Sequence, residues 1–294
     1  MTWSLSREVN LFVFESEGMS LLNATLAFIG SGVMGEAMMK GLLNRDLVSP
    51  LQITASDVHV DRCETLKAMY GVKTTLQNAE AVAGADIVLL SVKPQVMDRV
   101  LSDIRGVIKP ESLILSIAAG VTIKSIAEGG GNPRVVRAMP NTPGQIGQGM
   151  TVWTASSDVD DVQRHQSRLM LGALGDEMLV EDERFLDMAT ALNGTGPAYV
   201  FMFMEALIDV GVHMGLPRRD AERLVLQTVR GSVDFALQSH QHMAEMRNQV
   251  TSPGGTSAEA IYHLEKGGLR TVIADGVWAA YRRSQALGEG SKKS

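Results

Sequence analysis

The chain has 294 residues, 45% hydrophobic and 20% charged, with a net charge of −6 and a single cysteine, Cys63. That length accommodates one large or two modest domains around a substantial core. The acidic balance argues against nucleic acid or an anionic membrane surface as partner. One cysteine excludes an intrachain disulfide framework and fits a reducing compartment, which places the protein in the cytoplasm.

Residues 1–18 carry only a four-residue apolar stretch, Leu11 to Phe14, closed by Glu15 and Glu17. They lack the core and cleavage site of a signal peptide and are read as a disordered or mis-called leader, with Met19 a plausible true start. Leu26 to Ile29 is a short apolar run ending at Gly30 and reads as a buried strand. A helix follows from Met34 to Leu43, a second strand from Leu51 to Ala55, and a helix from Asp61 to Tyr70 stopped by Gly71. Strands at Ala85–Val92, Leu113–Ile117 and Val135–Ala138, with a helix at Val96–Ile104, continue the alternation. Alternating strands and helices specify a parallel, doubly wound sheet.

The rhythm changes near residue 181. From Asp182 the pattern is helical, punctuated at Gly194–Pro197, Gly215–Pro217, Pro253–Gly255 and Gly267–Gly268. Residues 19–181 are therefore assigned to a Rossmann-type dinucleotide-binding domain. Residues 182–288 form a helical domain, and 289–294 a polar tail. The longest apolar run, Ala198 to Ile208, is broken by Glu205 and stopped by Asp209, too short and too charged to span a bilayer.

Gly30, Gly32 and Gly35 form a Gly-x-Gly-x-x-Gly sequence that follows a strand and opens a helix, the context that gives this motif meaning. Gly30 permits the tight turn, Gly32 admits a pyrophosphate to the backbone, and Gly35 lets helix and strand pack closely. Asp57, 22 residues after Gly35, ends the second strand. A carboxylate there holds the ribose 2′-hydroxyl of NAD and repels the 2′-phosphate of NADP; Ser56 could instead cap a helix or meet a phosphate. The strand ends Val92-Lys93-Pro94, Ala118-Ala119-Gly120 and Pro140-Asn141-Thr142 lie on the carboxyl edge of the sheet, where such folds bind ligands. Lys93 is the positive charge at that edge.

Ser252-Pro-Gly-Gly-Thr-Ser257 joins two helical stretches. Pro253 fixes one backbone angle, Gly254 and Gly255 turn freely, and Thr256 and Glu259 have capping-box spacing. A tight loop entering a helix N-terminus suits a small carboxylate, with two hydroxyls, Thr256 and Ser257, beside it. An ordinary capped turn has the same local pattern. Glu205, Asp209 and His213 share a helix face, where a metal could be imagined but a polar stripe on an apolar interface helix is the reading taken; His240 and His242 lack a third ligand at fitting spacing and read as a solvated loop. Arg137 either holds a loop or faces the site, and Tyr199 reads as packing.

In order along the chain, Phe-Ile-Gly-Ser-Gly-Val-Met-Gly35, Ser-Val-Lys-Pro94, Ser-Ile-Ala-Ala-Gly120, Val-Val-Arg-Ala-Met-Pro-Asn-Thr-Pro143, Gly-Pro-Ala-Tyr199 and Val-Thr-Ser-Pro-Gly-Gly-Thr-Ser257 resemble the pyrroline-5-carboxylate reductases. The resemblance runs from about Leu26 to Leu287. It implies reduction of the C=N bond of 1-pyrroline-5-carboxylate to proline by NADH or NADPH, with Asp57 favouring NADH. It also implies an interlocked homodimer that assembles into a larger ring. Carried over, Gly30, Ser31, Gly32, Val33, Met34 and Gly35 would bind the cofactor, together with Ser56 or Asp57, Asn78, Val92, Lys93, Pro94, Ala118, Ala119, Gly120 and Asn141. Ser252, Gly254, Gly255, Thr256 and Ser257 would bind the substrate, with the Ser257 or Thr256 hydroxyl touching the imine nitrogen.

Two motifs depart from the family pattern: Asn193-Gly-Thr195-Gly replaces Ser-Gly-Ser-Gly, and Ser257 stands where threonine is usual. These substitutions leave room for a related imine reductase or dehydrogenase acting on another small acid. A non-catalytic nucleotide-binding relative is the third reading, which an intact Ser252–Ser257 loop disfavours.

Overall fold

The computed structural model describes residues 20–290; the expected leader, the alternative start at Met19 and the end of the polar tail, 291–294, lie outside them. The chain divides into two compact units, 1–194 with 281–294, and 195–280.

The first unit is built on an eight-stranded sheet of order β3-β2-β1-β4-β5-β6-β7-β8. Its opening elements are β1 (Leu26–Ile29), α1 (Val33–Asn44), β2 (Ile53–Ser56), α2 (Val60–Tyr70), β3 (Lys73–Thr75) and α3 (Asn78–Val82). Next come β4 (Ile87–Leu90), α4 (Met97–Ile104), β5 (Leu113–Ser116), α5 (Ile123–Gly130) and β6 (Val135–Met139). The unit closes with β7 (Gly149–Ala155), α6 (Asp161–Gly172), β8 (Gly175–Leu179) and α7 (Phe185–Ala189).

Every residue of β1 is buried, and they alternate between two cores: Leu26 and Phe28 with α1, α2 and α6 on one face, Ala27 and Ile29 with α3, α4 and α5 on the other. A strand covered on both faces is apolar throughout, which is why this run stands out in the sequence. The registers are flush, Ile29 pairing with both Ser56 and Leu90. Gly30, Asp57 and Ser91 therefore leave the sheet side by side at its carboxyl edge.

The doubly wound Rossmann character holds from β1 to β6, whose pairings are parallel. The last two strands differ: β7 runs antiparallel to β6, and β8 is parallel to β7. Between β6 and β7 the chain has only a 3₁₀ turn at Thr142–Ile146, and a connection without a crossover helix returns antiparallel.

By compactness the two units part at Gly194, and residues 183–194 carry side-chain bonds to the sheet. Arg137 in β6 is buried and pairs with Glu183 (2.8 Å) and Asp187 (3.7 Å). Asn193 donates to the carbonyls of Met139 (3.2 Å) and Met150 (2.9 Å). These bonds fasten residues 183–194 to the sheet.

The second unit contains α8 (Gly196–His213), α9 (Arg218–Ser239), α10 (Met243–Gln249), α11 (Thr256–Lys266) and the start of α12 (Leu269–Gly290). The last turns of α12 belong to the first unit, and the helix continues two residues beyond the expected end at 288. At Gly194–Pro197 a π-helical segment, Thr190–Gly194, gives way through a bend at Thr195 to α8, and Pro197 sits in the first turn of α8, where its missing N–H costs nothing. Phe185–His213 is long and apolar enough, by length and composition, to cross a membrane, unlike the shorter run visible in the sequence. It carries Asp187, Glu205 and Asp209, and Asp209 accepts from Arg218 at 2.8 Å.

Candidate active site

The first candidate region is a cleft of about 580 Å³ at the carboxyl edge of the sheet, lined by residues that follow β1, β2 and β4 and by the first turns of α3 and α4. Each glycine of the fingerprint has its own structural reason. Gly30 has φ +79°, and a Cβ there would lie 2.5 Å from Val92 Cγ1. A Cβ on Gly35 would lie 2.6 Å from Ser91 Oγ and 2.9 Å from the Gly30 carbonyl oxygen. Around Gly32 nothing lies within 4 Å of a Cβ, and this residue is the N-cap of α1 with no side chain over it. The open glycine thus stands at a helix N-terminus whose first amides have no intrahelical acceptor, which is a cradle for a phosphate.

Asp57 is held at the cleft by two backbone amides, Ser31 N–H to Oδ2 (3.0 Å) and His59 N–H to Oδ1 (3.0 Å). A carboxylate has about four acceptor sites, so these bonds fix its direction and leave capacity for a ribose hydroxyl. Ser56 is buried, and its hydroxyl bonds to Asn78 Oδ1 at 2.8 Å; Asn78 Nδ2 donates to Asp103 at 3.0 Å. Ser56 thus orients Asn78, which lines the cleft with Val92 and an exposed Lys93. Pro94 begins the 3₁₀ turn that leads into α4.

Other expected cofactor residues lie elsewhere. Val33 and Met34 form the first turn of α1, Val33 exposed and Met34 partly buried. Ala118 is buried, and a Cβ on Gly120, φ +75°, would lie 2.9 Å from Leu287 Cβ, so the end of α12 packs over this loop. Asn141 accepts from Met150 N–H (2.9 Å) and donates to Asn193 Oδ1 (2.7 Å). Its amide pins the loop after β6, and Asn193 completes the same network. Arg137 holds a loop: its guanidinium is spent on Glu183 and Asp187.

Ser91 in the cleft, and Arg62, Glu36 and Tyr70 behind the glycine loop, have no motif of their own in the sequence. Ser91 follows β4, and its hydroxyl bonds to the Gly30 carbonyl. Arg62 Nε donates to the Ser31 carbonyl (2.6 Å) and its Nη2 to Glu36 (2.5 Å), while Tyr70 donates to the other oxygen of Glu36 (2.8 Å). Burial alone would raise the Glu36 carboxyl, but the hydrogen bonds from Arg62 and Tyr70 hold it below its ordinary value. Burial, followed by the bond to Glu36, pushes the Tyr70 phenol up to about 12. Ser91 was within reach as the residue after a strand; the Arg62–Glu36 pair spans 26 positions and has no local signal.

The second region lies in the helical unit. Gly254 has φ +69°, the Gly255 N–H donates to the Ser252 carbonyl (3.0 Å), and a Cβ on Gly255 would lie 2.5 Å from Ser252 Oγ. The tight loop demands both glycines. The expected capping box does not form: Gly255, not Thr256, is the N-cap of α11, and Glu259 instead faces His263 at 3.3 Å. Thr256 is already helical, so its backbone cannot take the extended conformation of a cap. As a result the first amides of α11 and the hydroxyls of Thr256 and Ser257, among the described residues, have no intrachain partner, and the terminus keeps its positive pole for an anion. His242 caps α10, accepting from Ala244 N–H at 3.1 Å.

Residues 183–287 match the family model described as pyrroline-5-carboxylate reductase dimerisation, and residues 25–120 match one described as NADP oxidoreductase, coenzyme F420-dependent. The pyrroline-5-carboxylate reductase of Synechocystis is 40% identical over 91% of this chain and 100% of its own length. That of Pseudomonas aeruginosa is 41% identical over 90% and 97%. The crystal structure of the Plasmodium falciparum enzyme with NADP bound superposes with a TM-score of 0.83 at 31% identity, covering 90% of this chain and 98% of that one. With this identity along nearly its whole length, the chain belongs to the pyrroline-5-carboxylate reductase family of nicotinamide-dependent oxidoreductases.

Proposed function

We propose that the chain performs its family's reaction, reduction of the C=N bond of 1-pyrroline-5-carboxylate to L-proline, with NADH preferred over NADPH. The observation that supports the cofactor reading is the Asp57 carboxylate, fixed by two amides at the end of β2. It offers an acceptor to a ribose 2′-hydroxyl and opposes a 2′-phosphate. Gly32 and the N-terminus of α1 take the pyrophosphate, with Asn78, Val92 and Lys93 lining the remainder of the cleft. The bound nicotinamide supplies the hydride.

The N-terminus of α11, behind Gly254 and Gly255, holds the substrate carboxylate with Ser252. The Ser257 or Thr256 hydroxyl meets the ring nitrogen. The imine is a better hydride acceptor when that nitrogen is protonated: hydride adds to carbon, the C=N pair moves to nitrogen, and the secondary amine results. The chain's part is to orient the substrate, which brings much of the rate in reactions of this kind. The exposed apolar side chains of the helical unit, among them Phe201, Leu207, Phe235 and Trp278, support burial against a second copy. Dimers then build a larger ring, in the cytoplasm.

The test is oxidation of NADH and NADPH with 1-pyrroline-5-carboxylate, beside other cyclic imines and 2-keto acids, by the wild type and Ser257→Ala. A lower KM for NADH is expected, and a kcat reduced roughly a hundredfold in the variant at unchanged thermal stability. A lower KM for NADPH would overturn the role of Asp57, and an unchanged kcat the role of Ser257. No oxidation by folded protein would favour a non-catalytic relative.

A further inference from the structure

Beside Asp57, on the side of α2, lies an open notch of about 470 Å³ lined by Ser31, Gly32, Asp57, His59, Asp61, Arg62 and Thr65. If Asp57 receives the ribose 2′-hydroxyl, a 2′-phosphate would point into this space. Arg62 is the guanidinium among its lining residues, and a guanidinium is the group that recognises a phosphate by paired N–H bonds. The Nε–Nη2 edge of Arg62, one of the two edges that can pair with a phosphate, is already committed, and its charge is matched. Its Nε is bound to the Ser31 carbonyl of the glycine loop at 2.6 Å and its Nη2 to Glu36 at 2.5 Å, with Tyr70 fixing the second Glu36 oxygen at 2.8 Å. The Arg62 and Glu36 side chains are only 25% and 26% exposed, so water weakens the pair little. Once Glu36 has matched the charge of Arg62, Asp57 and Asp61 stand uncompensated at the notch.

We infer that Glu36, clamped by Tyr70, is a specificity-determining residue that withholds Arg62 from a cofactor 2′-phosphate. Discrimination against NADPH then rests on two carboxylates: Asp57 at the ribose, and Glu36 one residue removed through Arg62. The same Arg62 bond to the Ser31 carbonyl steadies the loop that faces the pyrophosphate, so the arginine serves the loop in place of the phosphate. The inference builds on the assignment of Asp57 to the ribose.

The experiment compares kcat and KM for NADH and NADPH in the wild type, Glu36→Gln, Tyr70→Phe and the double variant Glu36→Gln/Arg62→Ala, with 2′,5′-ADP as competitive inhibitor and thermal unfolding as control. Glutamine keeps an acceptor for Arg62 but removes the charge. Glu36→Gln is expected to lower KM for NADPH and the inhibition constant of 2′,5′-ADP roughly tenfold, about 1.4 kcal/mol, while KM for NADH moves less than twofold. Tyr70→Phe shifts the ratio in the same direction by less, and serves if Glu36→Gln does not fold. The double variant loses the gain, because the gain runs through Arg62. An NADH/NADPH ratio unmoved in both single variants, or a gain that survives removal of Arg62, overturns the inference. A wild type that prefers NADPH overturns the Asp57 reading instead, whatever the variants do.

Discussion

The three fingerprint glycines invite a substitution series in which stability and cofactor binding separate. Gly32→Ala adds a methyl where nothing lies within 4 Å, at φ −67° and ψ −171°, a conformation alanine adopts freely. Its folding free energy should be unchanged or raised by about 0.4–1 kcal/mol through the unfolded state. Gly30→Ala meets a different situation: φ is +79° and the new methyl lies 2.5 Å from Val92 Cγ1 and 3.1 Å from the Ser91 carbonyl oxygen. The left-handed backbone costs about 1–2 kcal/mol and the overpacking about 1–3 kcal/mol, together roughly 2–5 kcal/mol. Gly35→Ala drives its methyl to 2.9 Å from the Gly30 carbonyl oxygen and should also destabilise. Cofactor binding reverses the order. The Gly32 methyl occupies the approach of the pyrophosphate, and losing one charge-assisted hydrogen bond costs about 1.5–3 kcal/mol, or roughly a 10- to 150-fold rise in KM for NADH. Denaturant midpoints and NADH titrations of the three variants read both quantities. The reasoning fails if Gly32→Ala unfolds as readily as Gly30→Ala, or if it binds NADH within twofold of the wild type.

The Tyr70–Glu36 bond predicts a phenol that ionises late. The difference between ultraviolet titrations of the wild type and Tyr70→Phe should show one phenolate appearing near pH 12. Glu36→Gln should lower that pH only part of the way, because burial, the larger cause, remains. Because the folded state holds this proton more tightly than the unfolded chain, stability declines as pH rises from about 10 to about 12, and Tyr70→Phe should flatten that decline. At the other edge of the unit, Glu183→Ala would leave the buried Arg137 with only Asp187 at 3.7 Å and strip the acceptor from the Ile123 N–H, now bonded to Glu183 at 2.8 Å. A loss of about 2–4 kcal/mol in chemical denaturation is expected; a loss under 1 kcal/mol would mean that the pair does not fasten residues 183–194 to the sheet.

What the sequence made legible follows from how each segment is buried. β1, β4 and β5 lie between two cores and are apolar but for Ser116 at the end of β5, so a bare run of three or four residues between turn signals sufficed. β3 and β8 do not bury a face in this way: Lys73-Thr-Thr75 and Gly175–Leu179 are largely exposed or half-buried, which removes the hydrophobic signal that strand reading depends on. β7 went unread although it is mostly buried, because no helical pattern separates it from β6. The helical breaks were legible where a glycine adopts positive φ, at Gly215, Gly254 and Gly268, and missed where His240 does so. Gly194 has a second reason besides the bend that follows it: a Cβ there would lie 2.4 Å from Met139 Cε.

The site divides along the same line. Motif residues close together in sequence, Gly30 to Gly35 and Ser252 to Ser257, were legible as candidates because one turn and one helix start determine their local geometry. The contacts that orient such residues were not legible, since they join distant segments: Ser56 to Asn78, Asn141 to Asn193, and Arg62 with Glu36 behind Ser31. The Asn193 departure illustrates the point. Read as a motif change, it bears on substrate choice; placed in the fold, its amide spans Asn141 and the Met139 and Met150 carbonyls. Serine, with one hydroxyl donor and a shorter reach, could not make all three bonds. The residue that looks like a change of substrate therefore acts first on the loop between β6 and β7.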